Sequence, residues 1–356
     1  MALQVPEGGA GAPRSTLERM PKWLICVPLV AQWLWLAVRH GGLTLPSSAN
    51  PAITAGGLVG ETKLEYFRSM GALALSATAR HCALPPAARS SPNVVRAALA
   101  QEGIAFPLIA KPDLGMCGFG VRRIDGESQL VAYIAAFPDE QTIVLQEYLV
   151  EEGEAGIFYA RDPGAAQGRI IGLALRYFPQ VLGDGVSSID ALIERDPRAG
   201  RVRHAGHSLA VDGGRVPAAG EHVRLATVGS TRVGGLYRDG AACITPTLSA
   251  RIDSIALDMA QFHFGRFDVR FADLDALRQG RVRIMEVNGA GSEAIEAWDP
   301  GFGLARALGL IFAKQRTLFG IAAANRQRGH RPIGLWRLAR LHWTQQKLLD
   351  TYPPSN

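Results

Sequence analysis

Lysine is nearly missing from this chain. Of 38 basic residues only Lys22, Lys63, Lys111, Lys314 and Lys347 are lysines. Codon bias accounts for most of the arginine and alanine richness, yet it leaves Lys111 as the one lysine between Lys63 and Lys314. Cysteine is also sparse. Cys26, Cys82, Cys117 and Cys243 lie far apart without a CxxC pair, which argues against a disulfide framework or a structural zinc site and suits a reducing cytosol. Charged residues make up 20%, below the usual ~25%. With 47% hydrophobic residues, that argues against a disordered or fibrous chain. The net charge of +6 is diffuse, and neither RNP-type aromatics nor a helix-turn-helix pattern is present, so no nucleic-acid partner is expected. At 356 residues the chain is too long for one ordinary domain and too short for three large ones.

A comfortable bilayer span is lacking too. Trp23–Val38 is nearly unbroken apolar sequence between Lys22 and Arg39-His40, but it contains Pro28 and Gln32 and falls short of the roughly 20 residues a span takes. No small-residue cleavage site of a signal peptide follows it. Three readings stay open: a buried core helix, a helix lying in a membrane surface, and a true span. The first 19 residues are Gly/Pro/Ala-rich and expected to be loose. At the other end, Arg331–Leu349 reads as a basic helix with Trp336, Arg337, Arg340, Trp343 and Lys347. Such helices sit on anionic membranes or pack as ordinary terminal helices.

What the middle of the chain holds is strands. Phe106–Lys111 is a short apolar run ending in lysine, followed by PDLGMCGFG and Val121–Ile124, a strand, Gly-rich loop and strand. Gly115, Gly118 and Gly120 free the loop to turn backbone N–H groups toward an anion. The loop has no GxxxxGK[ST] and opens no helix as GxGxxG does, so alone it reads equally as a tight turn. Lys111 beside it suits a nucleotide's phosphates. Cys117 reads as a small loop residue. Ser128–Phe137 is a helix candidate, and Thr142–Leu149, Glu154–Arg161 and Arg169–Phe178 are further strands of the sheet. Gly183–Ile189 is a turn leading into a helix capped by Ser187 or Ser188.

The sharpest pattern lies near the end. Phe267–Phe271 and Val282–Val287 alternate about a connection, ADLDALRQG. Pairing them antiparallel about Leu277 sets Asp268 opposite Glu286. Side chains repeat every two residues along a strand, so Asn288 shares a face with Glu286, and Arg266 and Arg270 share one with Asp268. Two carboxylates and an amide oxygen on one face are hard ligands of the kind Mg²⁺ takes with substrate phosphates. The alternative is a solvated ion ladder of Arg266, Asp268, Arg270, Arg283 and Glu286.

Four segments in order, GETK before LEYFRSMGAL, PLIAKPDLGMCGFGV, LQEYLVEEGEAG and RFDVRF…RIMEVNGAGSEA, resemble the ATP-grasp superfamily, and within it the carboxylate–amine ligases of the D-alanine–D-alanine ligase and amino-acid ligase type. The resemblance covers roughly residues 58–315, and LGDGVSSIDALI resembles a segment of cyanophycin-synthetase-like members. It implies an α+β ATP-grasp fold, two subdomains gripping ATP, with a shortened and partly apolar helical N-terminal region. The expected divisions are 1–57, a helical lead-in 58–105, a small subdomain 106–182, a large subdomain 183–320 holding the magnesium site, and a basic C-terminal helix 321–356. The resemblance implies that Lys111 and Lys63 contact phosphates, that Gly115, Gly118 and Gly120 close over them, and that Glu147 and Leu149 form the adenine hinge. It gives Glu154 the ribose hydroxyls, Asp268, Glu286 and Asn288 two magnesium ions, Arg270 the transferred phosphate, and Arg176 a phosphate lysine's place. It also implies ATP and Mg²⁺ as cofactors and small carboxylate and amine substrates, in a cytoplasmic protein with peripheral membrane contact as an open question. The domain that precedes the grasp in such ligases is reduced here, so Leu43–Lys63, with Asn50, Gly56 and Gly57, is either a substitute substrate pocket or a plain connecting loop.

Overall fold

The computed structural model describes residues 12–204, 209 and 211–356. Two antiparallel sheets organise them. The first has the order β1-β4-β2-β3, from His81–Leu84 (β1), Leu108–Pro112 (β2), Arg122–Ile124 (β3) and Ile143–Glu147 (β4). The second has the order β11-β10-β5-β6-β9, from Gly153–Ala160 (β5), Arg169–Tyr177 (β6), Leu236–Asp239 (β9), Phe264–Phe271 (β10) and Arg283–Asn288 (β11). Gln180–Leu182 (β7) and His222–Arg224 (β8) form a separate ribbon. The architecture is the α+β class expected from the sequence. One grouping differs. β5 and β6 were both expected to continue the sheet of β2 and β4, but β5 pairs with β10 and β6, and β6 with β5 and β9. The chain passes from one sheet to the other between Glu147 and Gly153, not near residue 182. The reason is that β5 finds partners on both edges, β6 and β10, and carries β6 with it.

Period-two alternation divides the large sheet into two unlike faces. Phe267, Val269 and Phe271 share one face with Ile157 and Leu173, and they pack on helix Pro246–Leu257 through Leu248, Ile252, Ile255 and Ala256. That helix has Pro246 at its first turn and is capped by Thr245, whose Oγ1 accepts from Leu248 N at 3.1 Å. The opposite face carries Arg266, Asp268 and Arg270 of β10, Glu154 of β5 and Arg176 of β6. In the small sheet Leu108, Ala110 and Leu145 face helices Pro92–Gln101 and Glu127–Ala136 through Val95, Leu99, Leu130 and Tyr133. Lys111 therefore points the other way, toward the large sheet.

Trp23–Val38 lies within helix Lys22–His40, and the basic segment forms Leu335–Leu349. The long helix Leu304–Gln327 packs along the first of these and is anchored by a buried ion pair, Lys314 with Glu296.

Candidate active site

β10 and β11 pair as the alternation predicts, with Asp268 opposite Glu286 and Arg266 opposite Asn288. A bulge after Asp268 then shifts the register, so Val269 faces Ile284 and Met285 is the extra residue. Its carbonyl oxygen accepts from Lys111 Nζ at 3.1 Å, and Gln146 Oε1 accepts from the same ammonium at 2.7 Å. Lys111 thus reaches from the small sheet to the strand that carries Glu286. Burial lowers its ammonium to about 8, against the pull of Glu286, with Lys63 adding to the lowering.

Lys63 arrives from a third element. Thr62 caps helix Lys63–Ser69, its Oγ1 accepting from Glu65 N at 3.3 Å. Asp113, at the start of the Gly-rich loop, accepts from Lys63 N at 3.1 Å and from Leu64 N at 2.9 Å. The helix N-terminus is thereby tied to the loop. Lys63 Nζ stands 3.4 Å from Glu286 Oε1, and a Cβ on Gly115 would lie 3.4 Å from the same ammonium. Gly118 and Gly120 hold positive φ, +75° and +71°, which only glycine adopts cheaply.

Asp268 is buried and doubly held. Arg266 donates to both its oxygens at 2.6 and 3.0 Å, and Arg176 Nη1 stands 3.2 Å from Oδ2. Burial alone would push this carboxyl up. Arg266 and Arg176 outweigh it and hold it below its ordinary value. Asn288 Nδ2 also donates to Asp268 Oδ2, at 3.2 Å. Glu154 sits between Arg176 at 3.1 Å and Arg270 at 3.2 Å, because β6, β5 and β10 place the three side by side. Five cations, Lys63, Lys111, Arg176, Arg266 and Arg270, thus surround three carboxylates, Glu154, Asp268 and Glu286.

The structure brings together Lys63, Lys111, Arg176, Glu154, Asp268, Arg270, Glu286, Asn288 and the Gly-rich loop. Glu147 stands apart from them. Its carboxylate pairs with Arg80 at 2.6 Å and with Arg283, and its N–H donates to Arg80 O at 2.9 Å. Leu149 is buried in the segment that crosses between the sheets. Asn50 is fully buried and uses both ends of its amide on backbone: Nδ2 donates to Gly56 O and Phe264 O, and Oδ1 accepts from His263 N and Phe264 N. It fixes the loop and leaves no group for a substrate. Gly57 lies against Gly289, where a Cβ would come within 2.6 Å of the Gly289 Cα, so Leu43–Lys63 does abut the strand end bearing Asn288.

Three participants were not singled out from the sequence as site residues. Arg266 contacts Asp268 directly, whereas Arg270 contacts Glu154 and Glu151 O. Strand parity had put both on the same face but could not rank them. Gln146 orients Lys111, and its parity on β4 was readable. Glu61 has a buried carboxyl oxygen, Oε2, with no hydrogen-bond partner, and burial together with Glu65 and Glu286 raises its pKa. No pattern in the sequence marks it. A cleft lined by Ser69, Gly71, Arg161 and Asp258 contains none of these residues.

No protein-family model and no curated protein sequence matches the chain. Among solved structures it is similar to a D-alanine–D-alanine ligase from Bacillus anthracis, at 14% identity over 75% of this chain and 68% of that one, with a TM-score of 0.42. It is also similar to the VanG D-Ala:D-Ser ligase from Enterococcus faecalis, at 14% identity, 72% and 61% coverage and a TM-score of 0.40. A bifunctional glutathione synthetase from Pasteurella multocida shares 14% identity over 74% of this chain and 38% of that one, with a TM-score of 0.36. At this level the likeness says nothing of substrates, and function has to be read from the cluster itself.

The donor set suits magnesium only with help. Among the described residues no group of three His, Cys, Asp or Glu side chains could hold a metal alone. Glu286 is about one-third exposed with one ion pair, and Asn288 keeps its carbonyl oxygen as an acceptor. Asp268 would have to exchange an arginine for the metal. Such a set matches an ion carried in with phosphates, since Mg²⁺ usually keeps one or two carboxylates plus substrate oxygens.

Proposed function

We propose that this protein is an ATP-grasp ligase that joins a carboxylate to an amine, forming ADP and phosphate through an acyl phosphate. One observation carries the reading. Lys111 on one sheet and Lys63, Asp268, Glu286 and Asn288 beside the other converge next to a Gly-rich loop, although they are distant in sequence. A core ladder needs no such loop, and a solvated ladder would not be buried.

In this reading the nucleotide lies between the sheets, with the crossing segment at Tyr148–Glu152 as hinge. Lys111, oriented by Gln146, and Lys63, oriented by the Asp113 turn, neutralise phosphate oxygens. N–H groups of the Gly115–Gly120 loop, other than that of Phe119, which donates to Met116 O, take others. Magnesium, when held by Glu286, Asn288 and Asp268, supplies further charge compensation. Arg266 and Arg176 stand where charge develops as the γ-phosphoryl passes to the substrate carboxylate, and Glu154 keeps Arg176 and Arg270 in place. Fixed charges of this kind, already oriented before reaction, are the main requirement of phosphoryl transfer. The amine then attacks the acyl carbon, phosphate leaves, and the amine's proton must be taken up. Glu61, whose Oε2 has no hydrogen-bond partner and which lies near Glu286, is the nearby group chemically able to accept it. Closure of the loop over the site protects the acyl phosphate from water. The requirement for ATP and the four free cysteines support a cytoplasmic setting.

The test is a screen of amino acids and amines that follows ADP and phosphate release, with mass spectrometry of products. The expected result is release that requires both an acid and an amine, with a product heavier by their condensation. ADP release with a phosphorylated acceptor and no condensation product would replace the ligase by a kinase.

A further inference from the structure

Helix Lys22–His40 is covered on one side only. Its inner side packs on Leu304–Gln327. Gln32 Nε2 donates to Phe312 O at 2.9 Å and to Gln315 Oε1 at 3.1 Å, and Trp33 meets Phe319 edge-on at 4.9 Å. Ile25, Leu36 and Ala37 are buried there. The outer side is different. Trp23 is 68% exposed and Val38 85%, and Val27, Val30, Leu34 and Trp35 are each more than half exposed. Trp23, Val27, Val30, Leu34 and Val38 recur at helical spacing, an unbroken apolar stripe about 22 Å long at 1.5 Å per residue. A stripe of that size rimmed by charge marks an interaction surface.

The charge pattern identifies the occupant. From Arg19 to Gly60 there is no Asp or Glu, and from Pro300 to Leu349 there is none either. These two stretches hold twelve of the 38 basic residues and none of the 32 acidic ones, so the other 26 basic residues leave the rest of the chain at −6. Lys22 and Arg39 flank the stripe at its two ends. At the C-terminal end Arg326, exposed, donates to His40 O at 2.7 Å and Gly41 O at 2.9 Å. The same carboxylate-free sequence exposes Trp336 and Trp343 among Arg337, Arg340 and Lys347.

We infer that the outer face of Lys22–His40 docks on the surface of an anionic lipid bilayer, with the helix lying in the interface plane. Tryptophan and aliphatic side chains enter the acyl boundary while cations at both ends meet lipid headgroups. Spanning would strip Gln32, Trp33 and Leu36 from the long helix, so the geometry favours lying over crossing. A second copy does not fit the same face, because a self-complementary contact would set cations against cations with no carboxylate between them.

Flotation of the full-length protein tests this, with phosphatidylcholine vesicles made with or without phosphatidylglycerol, at low and high salt. Wild type should float with the anionic vesicles. Val30→Asp with Leu34→Asp should weaken binding about tenfold or more at any salt, and Lys22→Glu with Arg39→Glu should do so mainly at low salt. All four positions are exposed or solvent-flanking, and circular dichroism will show whether the variants keep the fold. Wild type that stays behind at low salt overturns the proposal. So does unchanged flotation of the folded Val30→Asp/Leu34→Asp variant. Light scattering that shows a dimer dissolved by Leu34→Asp would give the face to a second copy and equally overturn it.

Discussion

Glu286 and Asp268 look alike in the sequence but are not equivalent in the structure. Glu286 is partly exposed and holds one ammonium, so Glu286→Gln should abolish ADP release and leave the melting temperature nearly unchanged. Asp268 is the counter-charge for two buried arginines, and breaking a buried pair costs about 3 kcal/mol. Asp268→Asn should therefore lose both activity and stability. Parallel thermal melts and ADP assays separate the two, and equal melting temperatures would contradict the description of Asp268. Lys111 brings a pH dependence. Its folded value of about 8 lies below the ordinary lysine value, so it loses its proton as pH rises through about 8. Nucleotide binding should weaken above that pH, and Lys111→Arg should flatten the decline. For stability the sign is opposite. Between about 8 and the ordinary lysine value the unfolded chain holds the extra proton, so this group makes folding relatively more favourable as pH rises.

At the scale of elements, the buried pair of Lys314 and Glu296 fixes the long helix against the charged face of the large sheet. Glu296→Gln leaves a buried ammonium without its counter-charge and should cost about 3 kcal/mol of stability, read as a drop in the denaturation midpoint. A change within error would mean the helix is held by packing alone. The C-terminal helix has a comparable structural task. Gln345 and Ser355 donate to Gly115 O and Gly118 O, and Tyr352 donates to Leu114 O at 2.5 Å. The tail thus satisfies the carbonyls of Leu114, Gly115 and Gly118 and holds the loop in shape. Much of this level was legible in the sequence. The strand positions, a serine cap at residue 187 or 188 (it is Ser188, which accepts from Ala191 N at 3.3 Å) and the Asp268–Glu286 register follow from period-two alternation and turn chemistry, which are local. What was not legible is long-range: which sheet takes β6, which arginine reaches Asp268, and that the tail returns to the loop. Those depend on partners far away in sequence, and alternation fixes a face without fixing its neighbour. Asn50 shows the converse. A lone polar residue in a Gly-rich stretch reads as a binding group, and here its amide is consumed by four backbone bonds.

For the whole molecule, Lys111 of the small sheet meets the charged patch of Glu154, Arg176, Arg266, Asp268 and Arg270 on the large one. The strands pass from one sheet to the other near residue 150, the C-terminal tail returns to the small one, and Lys63, Lys111 and the β10–β11 pair meet between them. If that meeting place binds magnesium and a nucleoside triphosphate, occupancy should hold the two sheets together and raise stability by RT ln(1 + [L]/Kd), about 2.7 kcal/mol at a hundredfold excess over Kd. The most direct measurement is calorimetric titration of a non-hydrolysable ATP analogue into wild type and Glu286→Gln, each with and without magnesium. The predicted result is one site in wild type whose affinity falls when magnesium is withheld, with Glu286→Gln losing the magnesium dependence and keeping the fold. Absence of nucleotide binding in wild type, or binding with the same magnesium dependence in Glu286→Gln, would contradict the assignment of this cluster.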